Sequence, residues 1–505
     1  MKYVLDGIAS GFPLGFTGPD CGYVCRNMAS VEALPDVVED YLEKELAGRR
    51  ILGPFDEPPL SNFRCNPIGV VAKKARNKYR MIMNLSAPIG NSVNDYIDGD
   101  DYSLSYVTVD DAIKKIVATG PGCLLSKVDV EAAFRIIPVR PDDWNLLGFK
   151  YKGKFYIDTV LSMGGRSSPA IFNSVAELAE WIAVNNYSVE FLIHLLDDFF
   201  TVEVPGSGGR ALSVVLQVFA RLGIPVNGKK VEGPATTLEF LGIVLDTVRM
   251  EARLSVEKIE QLRLLLVSFE SKKRCTQREL LSVVGSLSFA CKVVVPGRSF
   301  LSRLIARAYM VRELFHSVRI TACIRKDFKL WLRFLEEWNG RSLFLKSERM
   351  REGAEFSTDA SGSLGFGGFF KGQWFSHRWN NQQALWSIEA KELFPILVAA
   401  QVWGSSWETL RVVVLCDNAS VVGAINKGYS KVPLIGDMIR VLIYYSMHYN
   451  FLLRAEHIPG KLNVLSDLLS RLQVPRFREL APAAEEHPVE LPESPLLLCD
   501  KVFNV

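Results

Sequence analysis

The sequence predicts a mixed α and β protein built from several compact units. Three observations carry that expectation. From Asn66 to about Asp246, short β-rich runs alternate with helical ones; residues 253–340 turn helical and basic; residues 356–471 then restart a β-then-α order. With 505 residues and 48% hydrophobic content, the chain is too long for one core and apolar enough to build about three or four.

The elements follow in order. Residues 1–50 read as a lead-in, in which Pro35 opens a helix with Val38, Tyr41, Leu42 and Leu46 on one face. Pro54, Pro58 and Pro59 break that pattern. PIGVVAKK and YRMIMNLS read as two strands joined by the polar turn ARNK; GCLLSKVDV, FYIDTVL, FLIHLLDDFFTVEV and LEFLGIVLD supply further strands. Ile259, Leu262, Leu266 and Phe269 then form a helical stripe. Thr276 and Glu279 make a capping box ahead of Leu280, Val284, Leu287 and Cys291. The polar stretch Lys346 to Glu355 reads as a linker. Beyond it come two glycine-rich strands, a helix through Glu392 to Val402, the strand LRVVVLCD, more helices, the strand FLLRAEH and a short final helix. The tail from Pro475 holds three Lys+Arg against six Asp+Glu and is expected to be extended or partly disordered.

The net charge of +3 is uninformative, but its distribution is not. Residues 251–350 hold 20 Lys+Arg against 10 Asp+Glu, which suits either a polyanion track or solvated helix faces. Nine scattered cysteines, of which only Cys21 and Cys25 are close, complete no zinc set and suggest reduced thiols in an intracellular protein, cytoplasmic or nuclear. The opening MKYVLDGIASGFPLGF lacks the pattern of a signal peptide, and the apolar runs are too short to span a bilayer, so no membrane partner is expected.

Two sets of acids carry chemistry. Asp197 and Asp198 sit between Leu195-Leu196 and Phe199-Phe200, with no Gly, Pro or Asn to make a turn. Adjacent carboxylates there repel one another and lose solvation unless a cation joins them; the competing reading is a hairpin tip that happens to bear two acids. Asp129 ends the strand in CLLSKVDV and could converge with them on two hard divalent cations, which want oxygen ligands and phosphates. Lys73 and Arg80 stand where a triphosphate would need cations, although either alone fits a solvated hairpin tip.

Over roughly residues 50–310 the chain resembles the reverse transcriptases of retroelements. The resemblance assigns Lys73 and Arg80 to the incoming triphosphate, and Asp129 with Ala133-Phe134 to the first metal-binding motif. LSMGGRSSPAIFN, with Gly164 on its turn, resembles the motif supporting template and nucleotide. LLDD at 195–198 resembles the catalytic pair, and GIPVNGKK and LEFLGIVLD the later palm motifs. Lys229 or Lys230 would be the pyrophosphate-side lysine. GFPLGF, GPFDEPPL, RMIMNLSAPIGNSVNDYI and LLSVVGSLSFACKVVVPGRSFLSRL are similar to DIRS-like retrotransposons, which insert through a tyrosine recombinase. Asn84 replaces a usual Asp, and Ser162-Met163 a commoner Pro-Phe or Pro-Gln; neither removes a metal ligand.

The second set is Asp359 in STDAS, Glu392 in EAKELFPILVAA, Asp417 in LRVVVLCDN, and Asp467 in HIPGKLNVLSDLLSR, with His457 on a flexible Pro-Gly loop ten residues before Asp467. In this order they resemble the RNase H fold, where four carboxylates bind two Mg²⁺ and the loop His assists turnover. Glu389 rivals Glu392, which is preferred because it directly precedes Leu-Phe-Pro-Ile.

The resemblance implies an α+β right-hand polymerase (fingers, palm and helical thumb) followed by an RNase H-like α/β domain. The expected segments are a lead-in at 1–50, fingers and palm at 51–250, thumb at 251–310, connection at 311–351, RNase H-like domain at 352–472 and tail at 473–505. The implied activity is RNA-directed and DNA-directed DNA synthesis with cutting of the RNA strand of RNA–DNA hybrids, in retrotransposon replication. Its partners would be RNA template, DNA primer, RNA–DNA hybrid and dNTPs, with Mg²⁺ or Mn²⁺, two per active site. Phe134, suited to a steric gate against a ribose 2′-OH, and the attached RNase H argue against an RNA-copying RNA polymerase. A domesticated, inactive nucleic-acid-binding derivative is the other alternative, disfavoured because all seven carboxylates are present.

Overall fold

The computed structural model describes residues 2–72, 79–294, 297–337, 341–342, 355–408 and 410–491. The chain divides into two compact units, 1–238 and 239–505, each of mixed helix and sheet.

In the first unit the helices α1 (Lys2–Ser10) and α2 (Pro35–Ala47) precede the hairpin β1 (Ile68–Ala72) and β2 (Tyr79–Met83). Pro35 opens α2 at its first turn, where its missing N–H costs nothing. The hairpin pairs in register from Ile68 with Met83 to Ala72 with Tyr79; Lys73 lies outside the described residues. Helix α3 (Val109–Thr119) leads to β3 (Leu124–Asp129). Then come α4 (Ser168–Tyr187), β4 (Phe191–Leu195), β5 (Asp198–Glu203), α5 (Arg210–Leu222) and β6 (Glu232–Ala235). These strands form one antiparallel sheet in the order β6-β3-β5-β4. Helices α3, α4 and α5 pack on it, so Val128, Phe199 and Phe219 share a core. Val4, Phe12, Val38 and Leu42 belong to the same core, so the stretch set apart in sequence as a lead-in is part of this unit.

The second unit begins its helical part with α6 (Val256–Glu270), α7 (Gln277–Ala290), α8 (Arg298–Ala308) and α9 (Ala322–Glu337). The expected stripe is buried at Leu262, Leu266 and Phe269, and the Thr276–Glu279 capping box forms in both directions. Helix α9, assigned by sequence to the connection, packs with α6.

A five-stranded sheet follows, built from β7 (Glu355–Ala360), β8 (Gly365–Phe370), β9 (Gln373–Arg378), β10 (Arg411–Cys416) and β11 (Leu452–His457) in the order β9-β8-β7-β10-β11. The first three strands are antiparallel; β10 and β11 run parallel to β7. Helix α10 (Ile388–Trp403) packs against β7 and β8, α11 (Ala419–Lys427) against β11, and α12 (Pro433–His448) against α10. A short helix α13 (Val464–Ser470) lies across β7, β8 and β9. Gly367 permits that crossing, since a Cβ there would stand 2.4 Å from Leu469 Cβ. Helix α9 is tied to α12 by an ion pair, Asp327 to Arg440 at 3.2 Å.

The start of the tail departs from expectation, while residues 492–505 lie outside the described residues. Residues 474–480 form helix α14, with Phe477 fully buried against Trp374 and Leu469. Its aromatic and apolar side chains give it something to bury, which the acidic, proline-rich average concealed. No disulfide links the described cysteines. Among the described residues no helix is long and apolar enough to cross a membrane.

Candidate active sites

The first site is made by strand register. Asp198, the first residue of β5, pairs directly with Asp129, the last of β3. Asp198 also pairs with Leu195, leaving Leu196-Asp197 as a two-residue turn. The acids are therefore at a hairpin tip as well as beside a third acid. A tight turn needs positive φ, and with no glycine present Leu196 takes it, at 53°. A branched side chain in that region costs free energy that the flanking sheet must supply. The backbone N–H of Val130 donates to the Asp197 carbonyl at 3.0 Å and that of Asn227 to the Asp129 carbonyl at 3.0 Å, strapping the 225–230 segment to the site.

Asp129 is buried, while Asp197 and Asp198 are partly exposed. Burial pushes the Asp197 carboxyl above its ordinary range, with Asp129 adding to the effect. Asp198 is raised by burial and then by Asp197 and Asp129. Such a set holds surplus negative charge that a cation relieves. Lys230 partly does so: its Nζ donates to both Asp129 oxygens, at 3.0 Å to Oδ2, and this bond raises the lysine's own pKa. Lys229 instead donates its backbone N–H to Asn227 Oδ1, so the Asp129 bond of Lys230 separates two lysines that sequence left equivalent.

A cavity of about 710 Å³ brings Arg80, Asp129, Phe134, Asp197 and Lys230 together. Arg80 is exposed and directs Nη1 toward Met163 Sδ at 3.9 Å. Phe134 lies on a 3₁₀ turn entered through Ala132, at φ 53°, and meets Phe172 edge-on at 5.8 Å. Gly164 is not among the residues that line the cavity, although its neighbour Met163 is. A Cβ at Gly164 would stand 2.2 Å from the Met83 carbonyl oxygen, so only glycine lets this turn approach β2.

The second site is in the second unit. Asp359 sits on the central strand β7, Glu392 on α10, Asp417 just past β10 and Asp467 on α13. Burial raises Asp359 to about 6, and Asp417 and Asp467 add to the shift. Glu392 is raised to about 9 by burial, then by Asp359 and Asp417. Its Oε2 is buried with no hydrogen-bond partner among the described residues, as a carboxylate facing a ligand would be. Glu392, Cys416 and Asp417 bring potential ligand atoms within 4.8 Å of one another. Hard oxygen donors dominate both sets, which fits Mg²⁺ or Mn²⁺. Glu389, the rival, is not in that group and is less buried. His457 is the last residue of β11 rather than on the loop, and its Nε2 lies 3.1 Å from the Asp417 carbonyl oxygen.

Residues 71–245 match the family model described as reverse transcriptase (RNA-dependent DNA polymerase). The chain carries a reverse transcriptase domain. No curated protein matches it. Its fold is similar to that of foamy viral protease-reverse transcriptase in three solved complexes. With the dRH form bound to dsDNA the TM-score is 0.52 at 16% identity, over 88% of this chain and 72% of that one. With the RNA/DNA hybrid complex the values are 0.52 and 16%, over 88% and 56%. With a dsDNA complex they are 0.51 and 17%, over 88% and 86%. At these identities the likeness is one of fold.

Sequence reasoning missed several partners of the candidate residues. Around the reverse transcriptase domain's acids it missed the buried triad of Arg135 with Glu45 at 2.7 Å and Asp158 at 2.6 Å, whose members line the same cavity. An Arg directly after Phe134 was the available signal; its partners are 90 and 23 residues away. Around the second set it missed Ser470, whose hydroxyl donates to Asp359 Oδ2 at 2.5 Å. Asn463, which the spacing between His457 and Asp467 does mark, donates from Nδ2 to the Thr358 carbonyl at 2.9 Å. Both lie in the quoted HIPGKLNVLSDLLSR run, but Ser470 stands out only once α13 crosses β7. Sequence reasoning also missed Cys416, directly before Asp417, whose sulfur falls in the same group as the Glu392 and Asp417 carboxylates.

Proposed function

We propose that the chain is an RNA- and DNA-directed DNA polymerase that also cuts the RNA strand of RNA–DNA hybrids, serving retrotransposon replication of the DIRS-like kind. The observation that carries the polymerase reading is the register pair Asp129–Asp198 with Asp197 at the adjoining turn, Asp129 and Asp197 lining a cavity that also holds Arg80, Phe134 and Lys230. Asp129, Asp197 and Asp198 would hold two Mg²⁺ or Mn²⁺, which when bound activate the primer 3′-OH and neutralise the leaving pyrophosphate. Arg80, with Lys73, would grip the triphosphate of a dNTP; Lys230 would exchange Asp129 for the departing phosphates. Phe134 would sit under the sugar and exclude a 2′-hydroxyl by bulk, and Gly164 would let the template-side turn close on β2. Asp359, Glu392, Asp417 and Asp467 would form the hybrid-cutting site, with His457 assisting turnover. The DIRS-like assignment rests on the quoted sequence stretches, and the six-segment division on the resemblance that suggested it.

The test is primer extension by purified protein with an RNA template, dNTPs and Mg²⁺, beside cleavage of a labelled RNA–DNA hybrid. Asp198→Asn is expected to cut extension by orders of magnitude and leave hybrid cutting intact. Asp417→Asn is expected to do the reverse, and His457→Ala to slow cutting without abolishing it. A parent protein that binds hybrid but neither extends nor cuts would make the chain an inactive binding derivative.

A further inference from the structure

We propose that the segment 309–316, between α8 and α9, is a stacking platform for unpaired nucleic-acid bases, separate from any track for duplex. The inference rests on the nucleic-acid reading above and adds a second class of ligand to it.

Four large apolar side chains stand in water within eight positions. Phe315 is 74% exposed, Tyr309 and Met310 69% each, and Leu314 45%. Single exposed apolar residues are ordinary on any protein, but a contiguous group of them marks a contact surface. The segment is pinned, so the exposure is not a by-product of a loose loop. Gln277, buried at the start of α7, donates from Nε2 to the Ala308 carbonyl at 3.0 Å and the Val311 carbonyl at 2.9 Å. The backbone N–H groups of Gln277 and Arg278 donate to the carbonyls of His316 and Leu314, both at 2.9 Å. These are first-turn donors that a helix cannot satisfy internally. The start of α7 thus holds the segment in shape with its rings outward.

The charge around the platform selects its occupant. Residues 272–326 hold 12 Lys+Arg against two Asp+Glu. Arg312 and Arg319 are exposed in or beside the segment. Exposed aromatic rings with exposed arginines in and beside the same segment suit unpaired bases strung on phosphates, which stack on the rings and pair their charge with the guanidinium groups. A duplex keeps its base faces inside and offers mainly phosphates, so it has no use for the rings. A second copy of this surface would bring like charge against like.

The experiment measures binding of the full-length protein to a labelled dT20 strand and to a blunt 20-base-pair DNA duplex by fluorescence anisotropy across a salt series. Phe315→Ala and Tyr309→Ala remove exposed side chains, and melting curves confirm that each variant folds. Each is expected to weaken dT20 binding roughly 5- to 150-fold, the range for loss of one stacked base. Duplex affinity is expected to stay within about twofold. Arg312→Gln is expected to lower the dT20 salt slope by about 0.7. Unchanged dT20 affinity in both aromatic variants, with duplex binding intact, overturns the platform and leaves the polymerase reading standing. A parent protein that binds neither probe overturns the nucleic-acid reading itself. Self-association of the parent that Phe315→Ala abolishes, without loss of dT20 affinity, identifies the surface as a protein interface and also overturns the platform.

Discussion

Replacing Arg135 with Met should destabilise the first unit strongly at neutral pH and weakly in acid. Arg135 is 7% exposed and joins α2 to the strand that ends at Asp158. Glu45 keeps a second partner in Arg50, at 2.8 Å, but Asp158 has no other cation among the described residues and its Oδ1 is already without a hydrogen bond there. Burial outweighs Arg135's attraction and holds the Asp158 carboxyl above its ordinary range even in the parent. Breaking a buried pair from one side typically costs about 3–5 kcal/mol. An independent bound agrees: the orphaned acid can take up a proton, which between an unfolded pKa of about 3.9 and pH 7 costs about 4 kcal/mol at 1.36 kcal/mol per unit. The sign follows from linkage. A carboxyl with a raised folded pKa carries no penalty below its unfolded pKa, and the penalty grows as pH rises toward the folded value. For a unit of this size 1 kcal/mol moves the melting point by about 2–4 °C. The first-unit transition in Arg135→Met, followed by scanning calorimetry of the full chain, is therefore expected to fall by about 8–16 °C at pH 7, and by less than a third of that at pH 4.5. Asp158→Leu added to Arg135→Met should recover most of the loss. A drop under about 3 °C at pH 7, or an equal drop at both pH values, would refute the reasoning.

Three further outcomes are expected. Phe134→Val should raise ribonucleotide use relative to dNTP use in competitive incorporation; unchanged discrimination returns Phe134 to a packing role against Phe172. Neutralising Lys273, Arg274 and Arg278 together should weaken duplex binding alike for all sequences and flatten its salt dependence by about 0.9 for each phosphate no longer neutralised; an unaltered slope makes them solvated charges. Asp327 is raised to about 7 by burial, so the parent loses stability from this group as pH climbs from its unfolded value toward 7. The melting point of Asp327→Asn relative to the parent should therefore rise across that window, whatever its offset at acid pH where the parent carboxyl is protonated, and a flat difference between pH 4.5 and 8 contradicts the assignment.

Features set by local chemistry were legible in sequence. The Thr276–Glu279 box, the start of α2 at Pro35 and the buried stripe of α6 each depend on residues a few positions apart. Asp129, Asp359 and Asp417 stood out as acids ending apolar strands, and Asp197-Asp198 as adjacent acids between large apolar flanks, whereas Glu392 and Asp467, on helices, were picked out only by the order of motifs they resemble. What sequence could not supply was pairing at a distance. The choice of Lys230 over Lys229 depends on where Asn227 fixes the backbone beside Asp129. The turn at Leu196 hid because its residue type contradicts its conformation, and the sheet, not the propensity, decides it. Residues 474–480 were misread because charge averaged over the tail outweighed Phe477.

The docked tail has a consequence for how the C-terminal sheet survives alone. Strand β9 is the last in its sheet, and an uncovered last strand is a template for pairing with another chain. Here the chain itself lies along it: Val489 donates its N–H to the Trp374 carbonyl, and Trp374 Nε1 donates to the Glu485 carbonyl at 2.8 Å. A fragment cut at residue 472 lacks these hydrogen bonds and uncovers Trp374 and Phe369 together with the rim of β9. Such a fragment should assemble into soluble aggregates through that rim, whereas one continued to residue 490 keeps its own shield.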